Sequence, residues 1–286
     1  VTEGTGIFGL TAELYHADPC EQPSLSSSIA HILCTKSPRH ARTAHPRLNL
    51  AFEREEFQKF DVGTVAHAIL LEGRDIVSVI DAPDWRTKAA KEAREEARAI
   101  GKVPLLADQL ANVEAMVEAA QTQLARIHVD PPLFADGKPE QTLVWKEGDV
   151  TCRALLDWLR DDYSCVDDFK TTSASADPHR WTRTLFTIGA DIQVVFYLRG
   201  LKAITGAEAL MRFVVQETYP PYALSVVSLG PDVLAVAESK VEYAVRCWRE
   251  CMASGEWPGY STEVCYAELP PWEESRWFER EAVEAA

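Results

Sequence analysis

At 286 residues, with 47% apolar and 9% aromatic side chains, the chain has the makeup of an ordinary globular protein, long enough for one large domain. No apolar run approaches the roughly 20 residues of a membrane-spanning helix. The start, Val1-Thr2-Glu3-Gly4, lacks the basic-then-apolar pattern of a secretory leader, so no membrane role and a cytoplasmic location are expected. The net charge of −15 sits badly with a nucleic-acid partner, because phosphate contacts want Lys and Arg, unless the cations are gathered locally.

In chain order, Gly6 to Pro23 reads as irregular or strand-like, and Leu25 to Cys34 as a Ser-capped helix leading into Ser37-Pro38. Between Cys34 and Ala51 stand Lys36, Arg39, Arg42 and Arg47, with His40 and His45 and no acid. That stretch is either a solvated basic loop or a local phosphate-tracking surface. Phe60 to Leu71 has a helical pattern with Asp61 near its N-cap and with Gly63 and His67 on one face. Arg86 to Ile100 is charged and Ala-rich, which predicts an exposed helix. Leu105 to Ile127 carries Leu110, Val113, Met116, Val117, Ala120 and Leu124 at helical spacing. Together these make a mostly helical insertion, about 86–128, within a single domain over 1–286.

The β section follows. Glu140 to Trp145 alternates, Gly148-Asp149 turns, Cys152 to Leu159 returns, and Tyr163 to Thr172 makes a third strand. Helices are predicted over Pro178 to Phe186 and Ala190 to Ile204, the second with Gln193 and Tyr197 on one face. Strands over Ala209 to Gln216 and Tyr222 to Ser228 precede a closing amphipathic helix over Asp232 to Ser254. From Trp257 onward a packed irregular tail is expected.

Asp157 sits inside the apolar run Leu155-Leu156-Asp157-Trp158-Leu159, where a buried charge is costly unless it is paired or metal-bound. In the next strand, Asp168 and Lys170 share one face while Phe169 points the other way. If the two strands pair, both carboxylates and the amine converge. Such a cluster suits a hard cation beside a cationic group, the apparatus for hydrolysing a phosphodiester. The seven cysteines are odd in number and scattered, which argues for reduced thiols. The spacing of Cys247, Cys251 and Cys265 matches no familiar zinc or cluster pattern.

These motifs resemble, in order, those of the PD-(D/E)xK nucleases. Gly63-Thr64-Val65-Ala66-His67 looks like the Gly-Thr-x-x-His helix of the RecB-like group, Asp157 like its first metal carboxylate, and Asp168-Phe169-Lys170 like its D-x-K. Gln193-Val194-Val195-Phe196-Tyr197 looks like its Q-x-x-x-Y motif. Within the group the chain is most similar to the exodeoxyribonuclease VIII (RecE) type, through Leu25-Ser26-Ser27-Ser28, Ser37-Pro38-Arg39-His40, Arg86-Thr87-Lys88, and Glu140 five residues before Trp145.

The resemblance implies an α/β (α+β) core, a mixed sheet flanked by helices. It implies a Mg²⁺- or Mn²⁺-dependent deoxyribonuclease that degrades linear double-stranded DNA, 5′ to 3′, leaving 3′ overhangs for annealing recombination. A catalytically inactive or partner-dependent binding module, or an endonuclease, is the alternative. His67, Glu140, Asp157, Asp168 and the Phe169 carbonyl would hold metal, Lys170 would act on the water or the phosphoryl charge, and Gln193 and Tyr197 would position the strand. Arg39, His40, Arg42, Arg86 and Lys88 would touch DNA. A homo-oligomeric ring, a RecT-like annealing partner and a phage or prophage origin also follow from it. An iron–sulfur cluster is not expected, since Ser37 stands where the cluster-bearing branch has Cys. The Val166-Asp167 pair departs from the apolar pair usual before D-x-K.

Overall fold

The structure, a computed structural model, describes residues 4–49, 51–52, 58–73 and 76–284. The elements in order are β1 (Gly6–Phe8), α1 (Ala12–His16), α2 (Ser27–Thr35), α3 (Pro38–Ala44) and α4 (Gln58–His67), which runs into a single π-helical turn over Ala68–Glu72. Then come β2 (Val77–Ile80), α5 (Lys88–Ala99), β3 (Val103–Leu106), α6 (Ala107–Leu124), β4 (Gly137–Glu147), β5 (Val150–Arg160) and β6 (Cys165–Thr172). The chain continues through α7 (Pro178–Ile188), α8 (Ala190–Thr205), β7 (Leu210–Glu217), β8 (Leu224–Val227), α9 (Pro231–Ser254) and α10 (Pro271–Glu284).

The local signals are visible in the caps. Ser26 Oγ accepts the Ile29 N–H at 3.4 Å, Thr87 Oγ1 that of Ala90 at 3.2 Å, and Asp177 Oδ1 that of Arg180 at 3.0 Å. Each satisfies an orphan donor at a helix start, worth about 1 kcal/mol. Gly189, at φ 72°, ends α7 and opens α8 in a left-handed conformation that a side chain resists.

Six strands form the main sheet in the order β1-β4-β5-β6-β7-β8. β6 and β7 run parallel and every other neighbouring pair antiparallel, so the sheet is mixed and flanked by helices as expected. One face packs on α2, α7, α8 and α9 through a core that includes Trp145, Trp181, Phe196, Phe213 and Trp248, all nearly inaccessible. Gly200 lets α8 lie directly on β4, since a Cβ there would come within 2.7 Å of the Trp145 ring. The other face carries a second cluster in which Phe169 and Val214 meet Val65 and Ala66 of α4 and Val113 and Met116 of α6.

Between α5 and α6 lies β3, which pairs in parallel with β2 as a separate two-stranded sheet. Two expectations need correction. α4 begins at Gln58, so Asp61 lies within the helix and not near its start. The tail is not a packed irregular segment. Trp257 does pack on Trp248, but Pro271–Glu284 is helical, and Trp272, Trp277 and Phe278 are each more than half exposed. Among the described residues no helix is long and apolar enough to cross a membrane.

Candidate active site

β5 and β6 pair at Trp158–Asp167 and Leu159–Val166, next to their turn, and then part. Where they part, Asp157 Oδ2 accepts the Phe169 N–H at 2.9 Å, so a side chain replaces the lost ladder partner of a backbone donor. Beyond that point β6 continues against β7, bringing Asp168 and Lys170 into the opening.

On the other side of β5, Glu140 is aligned opposite Asp157, between the pairs Pro139–Trp158 and Gln141–Leu156. His67 arrives from α4. Gly63 lets that helix approach β6, since a Cβ there would meet Thr171 Oγ1 at 2.8 Å. Immediately after His67 the helix widens into its π turn, a feature frequent at functional sites. His67 Nε2 lies 3.3 Å from Asp157 Oδ2 and 3.6 Å from Glu140 Oε1.

Asp168, only 1% exposed, is held on both oxygens: Lys170 Nζ pairs with Oδ1, and the Gln193 amide of α8 donates to Oδ2 at 2.7 Å. Tyr197, one turn further along α8, is buried and reaches the same region.

The titrations follow from this crowding. Burial and the neighbouring Asp157 charge push the Asp168 carboxyl up to about 6, against the pull of Lys170. Burial would raise Asp157 too, but the His67 hydrogen bond and the charges of Lys170 and His67 outweigh it and hold Asp157 below its ordinary value. Burial would lower His67; the hydrogen bond and charge of Asp157, with Glu140 and Asp168 behind, instead raise it to about 9. Burial opposes the charge on Lys170 as well, yet the two aspartates keep its pKa above the ordinary lysine value.

Carboxylates converging with an imidazole in a half-closed space are a group that could hold a cation. One ligand atom each from His67, Glu140 and Asp157 lie within 4.8 Å of one another, and among the described residues this is the one such group. Two carboxylates and one imidazole fit a divalent cation such as Mg²⁺ or Mn²⁺, with the nitrogen favouring Mn²⁺. Asp168 stands outside that group, turned toward Lys170 and Gln193, and Phe169 contributes its N–H to the Asp157 carboxylate.

Two cavities open on the cluster. One of about 390 Å³ is lined by His67, Glu140, Phe169 and Thr171, and one of about 360 Å³ by Ser26, Ser27, Arg153, Gln193 and Tyr197. They share His16, Leu155, Asp157 and Lys170.

Residues 33–270 match the model of a family described as a PDDEXK-like domain of unknown function (DUF3799). The chain belongs to that family. No curated protein matches it. Among solved structures, it is similar to a "Putative exonuclease" from Eubacterium rectale at TM-score 0.61 and 12% identity, over 92% of this chain and 97% of that one. At that identity the likeness concerns the fold, and it agrees with the mixed sheet flanked by helices described above. A second structure, SSO0001, covers 82% of this chain and 88% of its own at TM-score 0.28 and 10% identity, too distant to carry an argument.

In this PDDEXK-like chain the remaining candidates lie elsewhere. Arg39, His40 and Arg42 line neither cavity; they sit on α3, where the tail covers part of the helix. The Arg39 N–H donates to the Pro258 carbonyl at 3.0 Å, and the His40 ring meets Tyr260 at 5.3 Å. Arg86 and Lys88, with side chains about nine-tenths exposed, sit at the start of α5, also outside the cavities. Sequence reading missed His16 and Arg153. His16 lies in a stretch with no periodicity, and Arg153 is part of an ordinary strand pattern.

The Asp167 departure has a structural answer. Its carboxylate is gripped by Arg212 of β7 through Nε at 2.7 Å and NH2 at 2.9 Å, with both residues buried. Asp167 and Arg212 are register partners, so the charge that breaks the apolar pair is matched across the parallel ladder.

Proposed function

We propose that this chain is a metal-dependent deoxyribonuclease that resects linear double-stranded DNA from the 5′ end. The observation that carries the reading is the convergence of His67, Glu140 and Asp157 beside the Asp168–Lys170 pair, in a chain of the PDDEXK-like family. The name of the Eubacterium rectale neighbour supports the exonuclease form of it.

His67, Glu140 and Asp157 would hold the cation, with Asp168 and the Phe169 carbonyl available to complete its shell. When bound, a divalent cation there supplies acidified water and screens phosphate charge. Lys170 aims a full positive charge at the same opening, where it can orient the attacking water and stabilise charge growing on the phosphoryl oxygens. Gln193 fixes Asp168, and so the direction in which Lys170 points. Tyr197 and the serines at the start of α2 form a polar wall for the bound strand. Arg39, His40, Arg42, Arg86 and Lys88 would touch the duplex away from the cut. Strand annealing with a RecT-like partner and assembly into a ring extend the same reading.

The test is digestion of linear duplex DNA labelled at the 5′ or 3′ end, with Mg²⁺ or Mn²⁺, beside a covalently closed circle and with Asp168→Ala as control. Early release of 5′ label with an intact circle is the expected result. A cut circle would make the enzyme an endonuclease. No cleavage, with metal still bound, would leave a partner-dependent or binding role.

A further inference from the structure

We propose that His16 is the general acid of this site, donating a proton to the oxygen that leaves phosphorus; the proposal rests on the nuclease reading above. His16 ends α1, the short helix after the first strand, and belongs to neither the carboxylate cluster nor α8. Yet it lines both cavities, and the other residues common to the two are Leu155, Asp157 and Lys170. A phosphodiester cut beside Asp157 and Lys170 would have its two halves in the two cavities, and the imidazole stands where they meet.

The position is built. Thr11 caps α1, accepting the Leu14 N–H at 3.3 Å, and Tyr15 anchors the helix by burial. The Arg153 guanidinium lies 5.4 Å over the Tyr15 ring, and that ring meets His16 edge-on at 5.2 Å and 73°. Arg153 is itself fixed, 3.3 Å from the buried Asp18 and donating to Ser24 Oγ at 2.6 Å. A chain of packed groups thus runs from the core to the imidazole, while His16 stays exposed and can exchange protons with solvent.

Lys170 is paired with Asp168, and His67 faces Asp157 and Glu140. In the step proposed, water oxygen bonds to phosphorus as the bond from phosphorus to O3′ breaks. The electron pair of that bond passes to O3′, which takes the proton from the His16 imidazolium. Neutral His16 is then reprotonated by solvent, and the water's spare proton is lost to solvent.

The decisive substrate is a duplex carrying sulfur in place of the bridging O3′ at the cleaved linkage, because a thiolate leaves without a proton. Cleavage of this and of the ordinary linkage is compared in Mn²⁺ for the wild type, His16→Gln and His16→Ala. The expected result is a loss of roughly 100-fold on the oxygen linkage, with rates on the sulfur linkage within a few-fold of wild type. The Mn²⁺-induced rise in melting temperature should be unchanged in both variants. Equal losses on the two linkages, or no loss on either, would overturn the proposal, and a vanished Mn²⁺ shift would make His16 a ligand instead. A wild type that cuts neither linkage would overturn the nuclease reading and this one with it, whereas equal losses in an active enzyme overturn only the role of His16.

Discussion

Glu140 stands opposite Asp157 in the β4–β5 register, with its backbone in the left-handed region at φ 51°. A residue with a Cβ in that conformation costs on the order of 1–3 kcal/mol. The paired residues on either side hold it there, beside a second carboxylate. Strain and like charge at one point are what a cation would offset.

Glu140→Gly removes both costs together with the ligand. The expected outcome is a metal-free protein at least as stable as the wild type, with no Mg²⁺- or Mn²⁺-induced rise in melting temperature. Nuclease activity should fall by more than the roughly 10–100-fold typical of groups behind the ligands. Calorimetry with and without metal checks it, and a fall in metal-free stability would show that Glu140 has a structural role instead.

The His67 titration gives opposite pH trends with and without metal. Its pKa is raised from 6.5 to about 9, so its pairing with Asp157 stabilises the metal-free fold fully below 6.5 and is lost as pH rises through about 9. A cation competes with the same proton, so metal-induced stabilisation should grow across that window. Melting curves at pH 6.5, 7.5 and 9, with and without Mg²⁺, should diverge progressively; parallel curves would remove His67 from the ligand set.

Asp168 gives the same pH trend from a different cause. With a folded pKa raised from 3.8 to about 6, its ionised form costs stability, and that cost is present above about 6 and relieved as pH falls toward 3.8. Asp168→Asn should therefore hold or raise the melting temperature at pH 7.5 while abolishing cleavage. Gln193→Leu removes the 2.7 Å donor to Asp168 Oδ2 and should lower turnover about 10–100-fold with metal affinity nearly intact. A melting temperature that falls sharply in Asp168→Asn would count against the crowding argument.

The positions of the five strands from β4 to β8, the helix bearing His67 and the face shared by Asp168 and Lys170 were legible because they rest on local periodicity, with apolar runs long enough to fix a face. Other features depend on contacts distant in sequence. The β2–β3 pair joins two four-residue strands across α5, and α10 carries aromatics that a hydropathy pattern places inside but the fold leaves exposed. His16 lines both cavities beside Tyr15, on whose ring Arg153, over a hundred residues away, packs. The turn of Asp168 toward Gln193, away from the group of His67, Glu140 and Asp157, is likewise a tertiary choice between two nearby sets of partners.

The Asp167–Arg212 pair offers the cleanest separation of fold from chemistry. Besides gripping each other, Asp167 Oδ2 accepts the Phe134 N–H at 2.9 Å, and Arg212 NH1 donates to the Pro131 carbonyl at 2.7 Å. The pair therefore ties the β4 approach segment to β6 and β7, one residue before Asp168 but on the opposite face of the strand. Removing one partner leaves an uncompensated buried charge, so Asp167→Leu or Arg212→Leu should each cost about 3–5 kcal/mol. The double change Asp167→Leu with Arg212→Leu should cost clearly less than the sum, the residual being the two backbone groups left without partners. Urea denaturation of the four proteins gives the coupling directly. Strict additivity would mean that the two side chains act independently, and the matched charge across the ladder would then not explain why Asp167 is tolerated before the D-x-K residues.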